Sequence, residues 1–199
     1  MLLISRLFAV GLATVVLMAG VSASAGESLR IGFGAPQLAP MTYALFCKRY
    51  SEDCPPLKGP EVSQSRPKTT TNERLDELIE VNMFVNGRIR PQRNENGLAG
   101  EQWIIDPVFG DCNDYAVSKR HELLARGWPM GDLLLSEVAT SSGEHHLVLV
   151  ARTSAADFVL DNLQPHVRNW AEVTYRWVRI QVPNSNHWAS IEPINGTPQ

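Results

Sequence analysis

The sequence lacks the short motifs that identify several large classes of enzyme. It has no Cys-x-x-Cys or His-Glu-x-x-His cluster, which argues against zinc catalysis. It has neither a glycine-rich phosphate loop nor a Gly-x-Ser-x-Gly elbow, which argues against nucleotide and serine-hydrolase chemistry. A surplus of basic charge is also missing: the formal net charge is −3, so we expect no nucleic-acid partner.

After the first 25 residues no stretch is apolar enough to cross a bilayer. Residues 1–25 combine a short basic start with the apolar run LFAVGLATVVLMAGV and the cleavage site Ala23-Ser24-Ala25, as in a secretory signal peptide. The alternative is a membrane anchor, but the run is shorter than the roughly 20 residues that a span needs. We therefore expect a mature chain from Gly26 that is periplasmic or secreted and has no stable membrane insertion.

Cysteine is scarce, with three residues in a chain of 199. Cys47 and Cys54 stand in FCKRYSEDC, a spacing that can close a small loop in the oxidising compartment that export implies. We predict a Cys47–Cys54 disulfide; the alternatives are two separate buried thiols or an incomplete metal pair. This pairing leaves Cys112, and an odd thiol in an exported protein is either an intermolecular partner or a reactive group.

The whole chain has the composition of a globular domain, with 44% hydrophobic residues, and its periodicity changes along its length. Helices are predicted at 40–50, after a capping box at Thr70 and Glu73, and from Cys112 to Arg126, where Gly127 and Pro129 end the helix. Alternation then predicts four antiparallel strands, at 133–138, 145–151, 157–161 and 173–182. Helices followed by a sheet predict an α+β fold.

Several other polar and aromatic residues are given structural interpretations. Residues 87–100 are predicted to form a polar, glycine-rich loop. The charged residues of the third helix are interpreted as a solvated face, and the aromatic residues near the C-terminus as core: Lys119, Arg120, Glu122 and Arg126; Tyr175, Trp177 and Trp188.

Cys112 is predicted to lie in the first turn of its helix, after the N-cap candidate Asp111. Unpaired N–H groups and the positive end of the helix dipole meet there, so we expect a thiol pKa below its usual value of about 8.5. The same N–H groups can hold the oxyanion that forms when a thiolate attacks a carbonyl. Cys112 is therefore a candidate nucleophile.

A nucleophilic thiol needs a base and a group that orients the base. On the strand 145–151, His146 alternates with Val148 and Val150, whereas His145 faces the other way and is interpreted as a surface or site-rim residue. Asp161 ends the next strand, where a carboxylate can reach an imidazole. Cys, His and Asp on these elements match the papain-type arrangement, although each of these residues could also be an ordinary core, surface or turn residue.

A family resemblance supports this triad. The ordered motifs GDCNDYA, GEHHLVLV and FVLDNL resemble those of the bacterial transglutaminase-like cysteine proteinases over roughly residues 72–190. The resemblance implies a papain/transglutaminase-like fold, with the nucleophile helix packed on an antiparallel sheet. It also implies a catalytic triad of Cys112, His146 and Asp161.

The resemblance further implies a protein substrate, with a surface adhesin as one candidate, and a calcium site in some members. Asp111 and Asp114 are the candidate calcium ligands, and both also suit the N-terminal turn of a helix. Asn113 stands where the calcium-dependent members have Glu, and the loss of that charge should weaken calcium binding. We therefore expect no required cofactor, with calcium as the candidate ion.

These observations divide the chain into a signal peptide (1–25), an N-terminal extension with the disulfide (26–71) and a cysteine peptidase domain (72–199). The leading hypothesis is an exported cysteine endopeptidase. A protein-glutamine acyltransferase shares the first half-reaction, and a non-catalytic binding domain could keep the same fold.

Overall fold

The computed structural model describes residues 30–55, 71–94 and 100–192, without the side chains of residues 71–73. The predicted signal peptide and the Thr70–Glu73 capping box lie outside what it describes. Three α-helices and nine strands form in the described ranges. They are β1 (Phe33–Gln37), α1 (Met41–Arg49), α2 (Thr71–Arg88), β2 (Arg90–Pro91), β3 (Phe109–Gly110), α3 (Cys112–Ala125), β4 (Leu133–Ala139), β5 (His145–Arg152), β6 (Asp157–Leu160), β7 (Arg168–Asn169), β8 (Arg176–Gln181) and β9 (Trp188–Ile191).

The largest element is a seven-stranded antiparallel sheet in the order β1-β9-β8-β4-β5-β6-β7. The four predicted strands correspond to β4, β5, β6 and β8, and their antiparallel pairing confirms the predicted sheet. β2 and β3 pair in parallel, and β3 leads directly into α3. The prediction of a loop at 87–100 is therefore wrong at its start, because α2 continues to Arg88 and because Arg90–Pro91 form a short strand that pairs with β3.

Alternation along the strands gives the sheet two buried faces. One face packs against the helices, with Leu147 and Leu149 of β5 in one cluster with Tyr115 and Leu123 of α3. The other face carries a second cluster, which includes Val148, Val150 and the tryptophans Trp170 and Trp177. α3 contacts α2, β4 and β5, so the predicted α+β fold, with this helix packed on the sheet, is confirmed.

Residues 33–55, which are predicted to belong to an N-terminal extension, supply β1 to the main sheet and α1 to the helical face. The predicted disulfide is present: Cys47 at the end of α1 joins Cys54, with an S–S distance of 2.05 Å. None of the helices that the structure describes has the length and apolar character that a bilayer span requires.

Candidate active site

The start of α3 is fixed by a capping box. The Asp111 carboxylate accepts from the Asn113 N–H at 2.9 Å, and Asp114 Oδ2 accepts from the Asp111 N–H at 3.0 Å. Gly110 allows this approach, because a Cβ atom there would stand 2.6 Å from Asp114 Oδ2. The helix therefore begins at Cys112, as the sequence predicts, and the backbone turns at Gly127, whose φ is 82°.

The Cys112 thiol lies against β5 beyond the point where β6 ends. β6 pairs with β5 from Leu149 onward, so the first residues of β5 present an edge without β6 alongside. The backbone N–H groups of Leu147 and of Cys112 itself face the sulfur, and both lower its pKa. Cys112 is partly buried, and it is a free thiol.

The pKa of the Cys112 thiol is nevertheless raised to about 12. Burial is the largest cause, and the carboxylates of Asp111 and Glu101 add to it because a second negative charge nearby disfavours the thiolate. The expectation of a lowered pKa at the helix start is therefore wrong for the site as it stands. The two N–H groups oppose these effects without outweighing them.

His146 and Asp161 form a buried hydrogen-bonded pair. His146 Nε2 lies 2.7 Å from Asp161 Oδ1, and both side chains are almost fully buried. The other carboxylate oxygen accepts from the Tyr175 hydroxyl at 2.6 Å, and the Leu163 N–H donates to Oδ1 at 2.9 Å. Burial raises the pKa of Asp161, but these hydrogen bonds outweigh it, so the carboxylate pKa is lowered and the group stays ionised.

The structure thus brings two of the three predicted residues into direct contact. Hydrogen bonds among the described residues include none between the Cys112 sulfur and His146. The thiol instead meets β5 one residue further on, at the Leu147 N–H. Because His146 and Leu147 are adjacent, the nucleophile candidate and the imidazole share the same end of β5.

His145 has a different environment from its neighbour. It is exposed, and its ring lies against Glu137 of β4. This agrees with its interpretation as a surface or rim residue.

Two residues near the site differ from their sequence interpretation. Lys119 and Arg120, interpreted as part of a solvated helix face, are fully buried, at 1% and 0% exposure. Arg120 donates to the Leu133 carbonyl at 3.0 Å and to the Asp53 carbonyl. Lys119 lies 5.8 Å from the Tyr115 ring centroid and interacts with the Asp161 carboxylate. Two Arg120 nitrogen atoms, Nε and Nη1, thus have internal hydrogen-bond partners, whereas Nη2 has none among the described residues, and the helical pattern alone does not reveal this burial.

Tyr175 is the site residue that sequence reasoning missed. Its position just before β8 suits a core residue, and only the contact with Asp161 reveals another role. A tyrosine hydroxyl at a strand start was the available signal, since buried hydroxyl groups usually need a partner.

The acidic residues at the start of α3 are not arranged as ligands of a metal ion in this structure. Among the described residues no three His, Cys, Asp or Glu side chains converge as metal ligands. Asp114 Oδ1 accepts from the Ile104 N–H at 2.7 Å, and Asp114 Oδ2 takes part in the capping box. Asn113 donates its side-chain amide to Glu101. Burial, with the charges of Asp111 and Glu101, raises the pKa of Asp114 to about 6.

A cysteine at a helix start, packed on a sheet that carries a His–Asp pair, has the arrangement of papain-type cysteine proteases. The chain belongs to the family of bacterial transglutaminase-like cysteine proteinases (BTLCP), whose sequence model matches residues 33–195. It is therefore a cysteine peptidase. A sequence comparison with curated proteins gives no match.

Solved structures of Legionella pneumophila LapG are similar to this chain. The calcium-bound form is 22% identical, with a TM-score of 0.51, and the match covers 61% of this chain and 70% of LapG. Another LapG structure is 24% identical, with a TM-score of 0.48 and coverage of 57% and 67%. The likeness to the calcium-bound form supports the shared transglutaminase-like fold.

Proposed function

We propose that the protein is an exported cysteine endopeptidase that cleaves a protein substrate with Cys112, His146 and Asp161. The buried His146–Asp161 hydrogen bond carries this proposal, because it fixes an imidazole at the end of β5 where the free thiol also lies. A histidine that accepts a thiol proton needs a partner that holds its ring and stabilises the imidazolium, and Asp161, itself held by the Tyr175 hydroxyl and the Leu163 N–H, supplies this partner.

The mechanism is acyl transfer. Because His146 Nε2 is hydrogen-bonded to Asp161, the other ring nitrogen, Nδ1, takes the Cys112 proton. The thiolate attacks the substrate carbonyl carbon, and the Cys112 N–H stabilises the oxyanion. His146 returns the proton to the leaving amine, which gives a thioester. Water, deprotonated by His146, then releases the carboxylic acid and restores the thiol.

The raised pKa of Cys112 determines how the thiolate forms. A thiol with a pKa of about 12 does not lose its proton to solvent at neutral pH, so the proton has to pass to His146 within the site. The resulting imidazolium is stabilised by the ionised Asp161. A side-chain movement must bring the sulfur to Nδ1, as often happens when a catalytic hydrogen bond tightens on substrate binding.

The direct test is cleavage of an unfolded protein such as casein by the mature chain. Cys112→Ala and His146→Ala should each lower the rate by about a thousandfold or more while the fold is kept. His145→Ala is the matched control, because it removes the adjacent, exposed imidazole, and it should cleave at the wild-type rate. Equal loss in both histidine variants would contradict the assignment of His146. Amine incorporation into glutamine without hydrolysis would instead establish the acyltransferase.

Export and the substrate class are part of the same proposal. We expect the exported protein to begin at Gly26, which mass spectrometry of periplasmic or secreted material checks.

A cell-surface protein, with an adhesin as the first candidate, is the proposed substrate. Surface proteins that disappear from cells with the wild-type protein and persist in cells with Cys112→Ala would identify the substrate. An unchanged set of surface proteins would contradict this substrate class.

Calcium is the cation to test, since LapG structures exist in calcium-bound and EGTA-treated forms. We propose that Asp111 and Asp114 act first as caps of α3, and that calcium binds there only if their hydrogen bonds rearrange. Thermal unfolding with calcium or with EGTA distinguishes the cases. A calcium-induced rise in Tm that is lost in Asp111→Asn supports binding, whereas equal Tm values leave these residues as caps.

A further inference from the structure

Tyr175 touches both members of the His146–Asp161 pair. Its hydroxyl donates to Asp161 Oδ2 at 2.6 Å, and its ring meets the His146 ring edge-on, with centroids 5.7 Å apart and planes at 67°. One side chain therefore contacts the carboxylate that orients the imidazole and the imidazole itself.

The topology makes this contact unusual for a core residue. Tyr175 directly precedes β8, and β4 lies between β8 and β5 in the sheet. The side chain therefore reaches from β8, past the end of β4, to His146 on β5 and to Asp161 after β6. It joins three separate strands at the end of the sheet where the thiol lies.

Each oxygen of Asp161 has its own donors. Oδ1 accepts from His146 and from the Leu163 N–H, whereas Oδ2 accepts from Tyr175. Without the hydroxyl, Oδ2 could turn toward the Lys119 amine, and the carboxylate plane would rotate away from the imidazole. The ring also covers one side of the pair, where lower water access strengthens the His146–Asp161 hydrogen bond.

The charged groups that face this cluster come from several elements. Lys119 of α3 interacts with Asp161, and Arg168 of β7 interacts with Tyr175. A small cavity, with room for about one water molecule, borders Asp161 and Tyr175 and is also lined by Gln164 and His166. Gln164 further hydrogen-bonds Tyr175.

We propose that Tyr175 is a positioning residue for catalysis: it fixes the Asp161 carboxylate and the His146 ring in the orientation in which the imidazole accepts the Cys112 proton. This inference rests on the proposed function. It adds a fourth side chain to the site, one that acts through Asp161 and His146 and not on the substrate.

The experiment follows alkylation of Cys112 by iodoacetamide against pH, which needs no knowledge of the substrate. The two other cysteines are in the disulfide, so the label reports on Cys112. Tyr175→Phe keeps the ring and removes the hydroxyl. Its alkylation rate near neutral pH should fall about tenfold to a hundredfold. The apparent pKa of thiolate formation should rise toward that of His146→Ala. In Tyr175→Leu, which also loses the ring, this apparent pKa should be closer still to that of His146→Ala.

Tyr43→Phe is the matched control. Its hydroxyl is also buried and donates to an amide oxygen, that of Asn186 at 2.8 Å, but it does not contact the His146–Asp161 pair. It should keep the wild-type profile even where it lowers Tm. A Tyr175→Phe profile that overlays the wild type, while His146→Ala differs, overturns the inference and leaves the proposed function standing. Identical profiles for wild type and His146→Ala overturn both.

Discussion

Lys119 is a charged residue in an environment that disfavours its charge. Its side chain is 1% exposed, and burial lowers its pKa to about 7, although the Asp161 carboxylate raises it. The unfolded chain would hold this proton up to a pKa near 10.5. Below pH 7 both states are protonated, so the penalty of burying the charge is complete. Between about pH 7 and 10.5 the unfolded state binds more protons, and stability rises with pH.

Replacement of this lysine should therefore stabilise the fold. The lowered pKa already includes the attraction of Asp161, so we expect Lys119→Met to raise the free energy of unfolding by about 1–4 kcal/mol below pH 7, and by less as the pH rises toward 10. Urea unfolding across this pH range measures the effect. Lys48→Met, at an exposed position of α1, is the control and should leave the pH dependence unchanged. A Lys119→Met variant no more stable than the wild type at pH 6 would contradict the argument.

At the scale of single residues, the sequence indicates candidate residues, but it does not indicate the direction in which their pKa values shift. Cys112, His146 and Asp161 follow from the order of motifs and from strand alternation, and their catalytic roles remain predictions. The direction of the Cys112 pKa shift could not be predicted, because it depends on burial and on the carboxylates of Asp111 and Glu101, and the sequence does not show that Glu101 folds against the first turn of the helix. The interpretation of Lys119 as solvent-exposed is wrong because it followed the general rule that lysine is almost never fully buried without a partner.

Among the elements, α3 is held along its length and not only at its cap. Arg120 is bonded to the Asp53 carbonyl, and the Asp53 carboxylate lies 3.0 Å from His121 Nδ1. Asp53 itself precedes Cys54, whose disulfide to Cys47 closes the loop after α1. The disulfide therefore holds the residue that anchors the middle of the nucleophile helix.

Removal of the disulfide should weaken that anchor. We expect Cys47→Ala combined with Cys54→Ala to lower the free energy of unfolding by about 2–3 kcal/mol, as for the loss of a short loop closure. Amide exchange should increase in α3 around Arg120 and His121 more than in the capped first turn. Cys112→Ala, which removes the free thiol, serves as the control for stability. An equal increase in amide exchange along the whole of α3 would show that the disulfide does not act through Asp53.

The strands show what local sequence can and cannot predict. β4, β5, β6 and β8 were predicted because each alternates over several residues. β1 was missed because its sequence, FGAPQ, contains Gly34 and Pro36, which disfavour strands except at a sheet edge. Its pairing with β9 is irregular between Phe33 and Pro36, and such a register depends on the partner strand and not on local preference.

Across the whole molecule, the central sheet separates two apolar clusters, and the candidate site lies where β5 extends past β6. The helices cover one face, whereas Trp170 and Trp177 belong to the cluster on the other. The site thus draws on both sides of the sheet: Cys112 packs with the first cluster, and Tyr175 packs with the second. A substitution in either cluster can therefore disturb the active site without touching it.

The β1–β9 pairing has a consequence for the order in which the chain can fold. β1 stands at one edge of the sheet and pairs with β9, near the other end of the described chain. In the proposed export, a chain threaded through a membrane from its N-terminus delivers β1 early, whereas β9, the last strand of the described residues, follows every other strand of the sheet. We expect chains that end before Trp188 to remain sensitive to proteases, and resistance to appear in pulse-chase digestion only once Ile191 has emerged. On the proposed export route, the described sheet would thus be completed only after the chain has crossed the membrane.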